Sequence, residues 1–257
     1  MAGNNIIAID LGGTYLRTAI VKSNKISKYT KKKTPDNKNQ LLKELANSIS
    51  SLMNKNIKAI GIASPGPLEN GIIKNPPNLS LKNFNLKKFL QNKFKKRVEI
   101  ENDANCVALA EAKFGCKKKN FIILTLGTGV GGGVIINGEL YTGNGMGGEL
   151  GQIILDNGKS MESLWKQKRK LVKDLLKKDK KTLEKISKYL GQGIASLINI
   201  FDPEVVILMG GAREAGQVFL NMIKKHTKKH VLLPRVPDIK WSKLKHPGIL
   251  GASLLVS

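Results

Sequence analysis

The stretch IAIDLGGT at residues 7–14 decides how this chain is read. Its first half is an apolar run that ends in Asp10, and its second half is Gly12-Gly13-Thr14. The run reads as a buried strand, and the glycines permit a tight turn whose backbone N–H groups can face a phosphate. LRTAIV at 16–21 is apolar again, so strand, turn and strand form a hairpin. LTLGTGVGGG at 124–133 offers a second strand ending in a glycine turn. Between the two turns lies ENDANCVALAE at 101–111, with Asp103 at a strand-to-helix junction, a place for a base acting on a substrate hydroxyl. Two cradles with an Asp between them are the layout of a small-molecule phosphotransferase.

Outward from these segments, Lys25 to Thr30 reads as a third strand. Leu41, Leu42, Leu45, Ile49 and Leu52 have helical spacing over 37–54. IKAIGIAS (57–64) is a buried strand stopped by Pro65-Gly66-Pro67, and 68–83 reads as loop. A helix is expected over 85–94, a strand over 98–100 and an Ala-rich helix over 103–115. Strand 121–126 is followed by a hairpin at 134–141 with an Asn-Gly turn, then by a glycine-rich loop at 143–151. Two basic amphipathic helices are expected at 162–178 and 182–201. EVVILMGG (204–211) is a buried strand leading to a helix that ends near Lys228, and the tail closes in a short apolar helix. Two similar halves emerge, starting near Asn5 and Asn120. The expected division is a smaller lobe of residues 1–102 joined by 246–257, and a larger lobe of 103–245.

Composition narrows the classes. The chain has 257 residues, 41% of them hydrophobic, enough for one large domain or two lobes. No apolar run approaches the roughly 18–20 residues of a membrane helix, and no secretory leader is read at the start. Cys106 and Cys116 have no CxxC partner, which points to a reducing, cytoplasmic setting and no zinc knuckle. The formal charge is +25, from 44 Lys and Arg against 19 Asp and Glu. The lysines are scattered over helix faces and loop tips without interleaved aromatics. They read as compositional bias that still draws anionic substrates, not as a specific nucleic-acid surface. GTGVGG at 127–132 fits G-x-G-x-x-G, but a dinucleotide site needs a helix after the glycines, and here a hairpin follows. No GxxxxGK[ST] is present, which excludes a P-loop enzyme.

Together these segments resemble the ROK family of sugar kinases, within the α/β actin-like ATPase (ribonuclease H-like) fold, a duplicated fold of two lobes around a cleft. DLGGT resembles the first phosphate motif and GIASPGPLENG the strand that runs into Pro-Gly-Pro. NPPNLSLKNFNL resembles the sugar loop, ENDAN the catalytic segment and LGTGVGGGVIINGELYTG the second phosphate motif. GELGQ resembles the sugar-gripping loop and FDPEVVILMGG the adenosine motif. One departure is plain. Where the family continues from Glu-x-Gly-His into a cysteine-rich zinc loop, residues 149–162 read ELGQIILDNGKSME, so Gln152 holds the histidine place and no zinc is expected.

The resemblance implies a role for each matching position. Asp103 is the general base, and Asp10 holds Mg²⁺. Gly12, Gly13 and Thr14 form the first phosphate cradle; Gly127, Thr128 and Gly129 form the second. Gly210 and Gly211 admit the adenosine. Gly66, Asn78, Asn102, Glu149, Gln152 and Glu162 line the sugar site, although Glu162 also reads as a first-turn helix Glu and Asp103 as a helix cap. Trp165 and Trp241 read as core or interface. The implied activity is transfer of the γ-phosphoryl of ATP to a hexose hydroxyl, O6 of glucose, in a homodimer. The alternatives are polyphosphate as donor, or fructose, mannose or an N-acetyl amino sugar as acceptor. From another class, a sugar-sensing regulator of the same family is the rival, disfavoured because the chain starts directly at its first strand.

Overall fold

A computed structural model describes residues 5–76, 78–166 and 180–257. The chain divides into two compact units. Unit 1 comprises Met1–Phe114, Thr142–Gly147 and Leu244–Ser257; unit 2 comprises Gly115–Tyr141 and Gly148–Lys243.

Unit 1 begins with strands β1 (Asn5–Leu11), β2 (Tyr15–Lys22) and β3 (Lys25–Lys33), then helix α1 (Lys38–Leu52) and β4 (Ile57–Ser64). Short strands β5 (Leu68–Glu69), β6 (Ile72–Ile73) and β7 (Phe84–Asn85) follow, then α2 (Leu86–Phe94), β8 (Arg97–Asn102) and α3 (Asp103–Phe114). The main sheet has the order β3-β2-β1-β4-β8, antiparallel through the first three strands and parallel from β1 to β4 to β8. Strand alternation sorts its two faces by size. Ile7, Ile9, Ile60 and Ile62 face one way and pack with Leu41, Leu45 and Ile49 of α1. Asn37 caps α1 by accepting from the backbone N–H groups of Asn39 and Gln40. Ala8, Ala19 and Ala63 face the other way, where their small side chains admit Cys106 of α3 and Ile249 and Ala252 of the C-terminal helix.

Unit 2 carries β9 (Phe121–Leu126), β10 (Val130–Ile136), β11 (Glu139–Leu140), the hairpin β12 (Ile154–Asp156) and β13 (Lys159–Ser160), and α4 (Lys180–Phe201). Then come β14 (Val205–Met209), α5 (Gly216–Lys228) and β15 (Asp238–Trp241), and the chain returns to unit 1 with α6 (Pro247–Leu254). The second sheet has the order β11-β10-β9-β14-β15. Its first three strands are antiparallel and the rest parallel, the same order and sense as the first sheet. Leu183, Ile186, Leu190, Ile194 and Leu197 of α4 close one face over Ile122, Leu124, Val206 and Leu208.

Several expectations change. The stretch 68–83 is not all loop: β5 and β6 form a hairpin across Asn70 and Gly71, whose φ values of 50° and 80° are those of a two-residue hairpin turn. The second glycine hairpin is longer than expected, since β10 starts at Val130, right after Gly129. Residues 161–166 are helical, and the remainder of the helix expected over 162–178 falls outside the described residues. Helix α3 belongs to unit 1. The Ala-rich face of α3 is buried in unit 1, where Ala104, Cys106, Ala108 and Ala110 are almost fully enclosed. Among the described residues no helix is long and apolar enough to cross a membrane.

Candidate active site

In both units several candidate residues lie at the carboxyl ends of parallel strands, where open α/β sheets bind ligands. In unit 1, Asp10 stands near the end of β1, Gly66 after β4, and Asn102 and Asp103 at the end of β8. Arg17, paired across the hairpin with Asp10, donates from Nη1 to Asp10 Oδ2 at 2.9 Å. Burial raises the Asp10 pKa, and the Arg17 guanidinium works against that rise. Gly248 of α6 backs the same carboxylate: a Cβ there would stand 3.0 Å from Asp10 Cγ. The turn that follows is held from outside, with Thr34 Oγ1 donating to the Gly12 carbonyl at 2.6 Å and Thr34 N to the Thr14 carbonyl at 3.0 Å.

The acceptor-side candidates form a contact chain. A Cβ on Gly13 would meet Asn78 Cβ at 2.6 Å, so the first turn abuts the Asn78 loop. Gly66, with φ +92°, packs on Pro76 of the same loop. Asn102 Nδ2 reaches the Gly66 carbonyl at 3.4 Å. Asn102 Oδ1 accepts from the backbone N–H groups of Ala104 (2.9 Å) and Asn105 (3.2 Å), the pattern of an N-cap. The cap expected of Asp103 is therefore made by Asn102, and Asp103 is the first residue of α3, with Oδ1 2.8 Å from the Ala104 nitrogen. Glu101 supports the junction, its Oε1 accepting from Asn102 N and Asn105 Nδ2. A cavity of about 460 Å³ in this unit is lined by Glu69, Lys87, Glu99, Glu101 and Met146, but by none of the candidate residues.

In unit 2, Gly127, Thr128 and Gly129 make the turn between β9 and β10, closed by Gly127 N donating to the Gly129 carbonyl at 3.0 Å. The helical residues 161–166 brace it. Trp165 Nε1 donates to the Gly127 carbonyl at 3.1 Å, and Glu162 Oε2 accepts from Val130 N at 2.9 Å. Glu162 Oε1 accepts from Lys166 Nζ at 2.6 Å and faces Gln152 Nε2 at 3.5 Å. Both Glu162 oxygens are thus engaged inside the protein, and Gln152 and Glu162 meet. Glu149 lies near enough to feel that charge. Partial desolvation, and then repulsion from Glu162, raise the Glu149 pKa, although the residue as a whole stays exposed. Gly210, with φ +114°, sits against the Leu126 carbonyl, which joins the end of β14 to the second turn. Gly211 starts a one-turn helical segment, Gly211–Ala215, ahead of α5, and has open space around it.

Arg17, Thr34 and Lys166 are supporting residues that sequence reading passed over, and Trp165 was read only as core or interface. Arg17 was accessible from the hairpin alone, because the register across Gly12-Gly13-Thr14 sets it opposite Asp10. The Trp165 and Glu162 contacts close loops of 38 and 32 residues and left no local signal. Trp165 is 3% exposed, in agreement with a core reading, and Trp241 packs against the same core. Cys106 is fully buried, and burial pushes its thiol well up. Among the described residues no group of three or more His, Cys, Asp or Glu side chains is placed to hold a metal ion.

A glucokinase from Thermotoga maritima is 29% identical over 308 aligned residues, covering 98% of this chain and 96% of the relative. A xylose repressor from Bacillus spizizenii is 34% identical over 203 residues, which take in 67% of this chain and 53% of the repressor. Among solved structures, the ROK hexokinase from Thermus thermophilus superposes with a TM-score of 0.84 at 27% identity, covering 97% of each chain. The profile described as ROK family matches residues 6–164 and 158–257, so the fold is the duplicated actin-like one and the chain belongs to the ROK family.

Proposed function

We propose that the chain is a sugar kinase that transfers the γ-phosphoryl group of ATP to a hexose hydroxyl, O6 of glucose being the leading acceptor. The observation that carries this reading is the division of labour at the start of α3. Asn102 caps the helix, so Asp103 is not needed as a cap and its carboxylate stands at the positive helix end, which favours the ionised form a base requires. The similarity to a glucokinase over nearly the whole of both chains supports the same activity.

In this mechanism Asp103 takes the proton of the attacking hydroxyl as the oxygen–phosphorus bond forms and the bond from the γ-phosphorus to the bridging oxygen breaks, leaving ADP. Asn78, the backbone at Gly66 and the second amide proton of Asn102 hold the sugar. The turns Gly12–Thr14 and Gly127–Gly129 present N–H groups to the phosphates, and Gly210 and Gly211 leave room for the adenosine. Asp10 fits a Mg²⁺ that draws its remaining ligands from phosphates and water, since a desolvated carboxylate that Arg17 only partly compensates gains from a second cation. When bound, that ion neutralises charge on the phosphoryl oxygens. The proposal includes no zinc.

A coupled assay of Asp103→Asn tests it. The variant should keep the fold and sugar affinity while kcat falls by about 10²-fold or more. Near wild-type turnover would remove Asp103 as the base. Similarity to a xylose repressor supports a second reading, a sugar-responsive regulator without catalysis. Sugar binding without turnover on a panel of hexoses crossed with ATP, ADP and polyphosphate would favour that reading.

A further inference from the structure

Lys166 stands beside the second glycine turn in an arrangement that the family motifs do not account for. Its Nζ lies 2.6 Å from Glu162 Oε1, and its Cε lies 3.5 Å from the place a Cβ on Gly129 would occupy. The Glu162 carboxylate fills most of that place itself, which explains why residue 129 has no side chain. At Gly127, by contrast, an added Cβ would meet nothing within 4 Å. A carboxylate this close to an anion cradle opposes anion binding unless a cation cancels it. Lys166 cancels it, and one of its three donors goes to Glu162, leaving two for another acceptor.

We propose that Lys166 binds the phosphoanhydride chain of the donor directly, with Glu162 and Trp165 acting as positioning residues that hold the lysine and the turn in register. The proposal rests on the kinase reading for the identity of the donor, but not on turnover. Taken alone, Glu162 and Lys166 would be an ordinary i,i+4 helix pair, nearly neutral in energy and indifferent to ligand. Three features set this pair apart. The glutamate also accepts the Val130 N–H, the neighbouring Trp165 holds the Gly127 carbonyl, and the lysine stem lies over Gly129.

Calorimetric titration of the full chain with Mg·ATP, inorganic tripolyphosphate and adenosine separates the possibilities, using wild type, Lys166→Met, Lys166→Arg and Glu162→Gln. Lys166→Met should weaken ATP by about tenfold or more, the scale of one lost hydrogen bond to a charged group, and leave adenosine unchanged. Lys166→Arg should restore most of the loss. Glu162→Gln should weaken ATP less than Lys166→Met, since the lysine loses its holder but keeps its charge. Parallel losses for ATP and tripolyphosphate would assign the contact to the phosphate chain whatever its source; a loss for tripolyphosphate alone would make polyphosphate the donor at this site. Unchanged affinity for both ATP and tripolyphosphate in Lys166→Met would overturn the proposal while leaving the kinase reading intact. Wild-type protein that binds neither ATP nor tripolyphosphate would overturn both.

Discussion

Glu149 and Glu162 are thirteen positions apart in sequence and have the same residue type, yet the protein uses them differently. Glu162 has both oxygens occupied by Val130 N, Lys166 and Gln152, so its carboxylate is part of the framework under the second turn. Glu149 has a raised pKa, from desolvation first and the charge of Glu162 second. In the proposed kinase Glu149 accepts hydrogen bonds from sugar hydroxyls, which an ionised carboxylate does and a protonated one does poorly. The sign follows: as pH falls through the raised pKa the acceptor is lost, so the sugar KM should climb above the pH at which an ordinary surface Glu titrates. Glu149→Gln should raise the sugar KM at neutral pH by roughly tenfold and flatten that acidic limb. The nucleotide KM should stay level in both cases; a shift in nucleotide KM instead would move Glu149 to the donor side. At this scale the motifs gave the positions of Asp10, Asp103 and the glycines. They did not give the duty of each polar atom: the Asn102 cap is local and readable, whereas the Glu162 bond to Val130 depends on a fold-wide return of the chain.

Elements were legible where one periodicity dominated. α1, α4 and the buried strands announce themselves through apolar spacing, and the Asn-Gly hairpin through its turn residues. What the pattern did not give is which face meets which. Ala8, Ala19 and Ala63 look like weak strand formers, but they make a shallow face on which α6 and α3 lie close. The packing of α6 on α3 is closest at Gly251, where an added Cβ would collide with the Cys106 carbonyl, a backbone atom that cannot rotate away. Gly251→Ala should therefore cost about 1–3 kcal/mol through overpacking. At about 2–4 °C per kcal/mol for a chain of this size, calorimetry should read a clear fall in Tm. An unchanged Tm would mean that α6 shifts freely, and would undercut the account of why this short apolar helix carries three glycine or alanine positions on one buried side. The same packing gives the Ala face of α3 its partner in the C-terminal helix, a contact between segments far apart in sequence.

At the scale of the whole molecule, two sheets of identical strand order each end in a glycine hairpin turn and a parallel pair, and that repetition was visible in the sequence as two similar halves. The charge of +25 was equally visible, but its use was not. Its distribution is now informative. Asp10, Arg17 and Lys31 form a row across β1, β2 and β3, and Tyr15 pairs with Lys33 in the next register. Lys31 Nζ also lies 4.0 Å from the centre of the Tyr15 ring. In the polyphosphate alternative the donor would meet Arg17, Lys31 and Lys33 along this row, whereas in the proposed ATP kinase the turn alone holds the phosphates. The scatter of the remaining lysines favours ATP, and some of them are paired with carboxylates, as Lys32 is with Glu44 and Lys87 with Glu99. The expected outcome is a higher kcat/KM for ATP than for long-chain polyphosphate. The sugar KM should hardly change with salt, since screening leaves a neutral ligand untouched. A polyphosphate path would behave otherwise: each added phosphate contact releases counterions, so kcat/KM for the polymer would fall steeply between about 50 and about 200 mM salt. Polyphosphate that outperforms ATP at low salt and collapses at high salt would assign the basic row to the donor, and Lys31→Ala with Lys33→Ala should then abolish the difference without touching ATP.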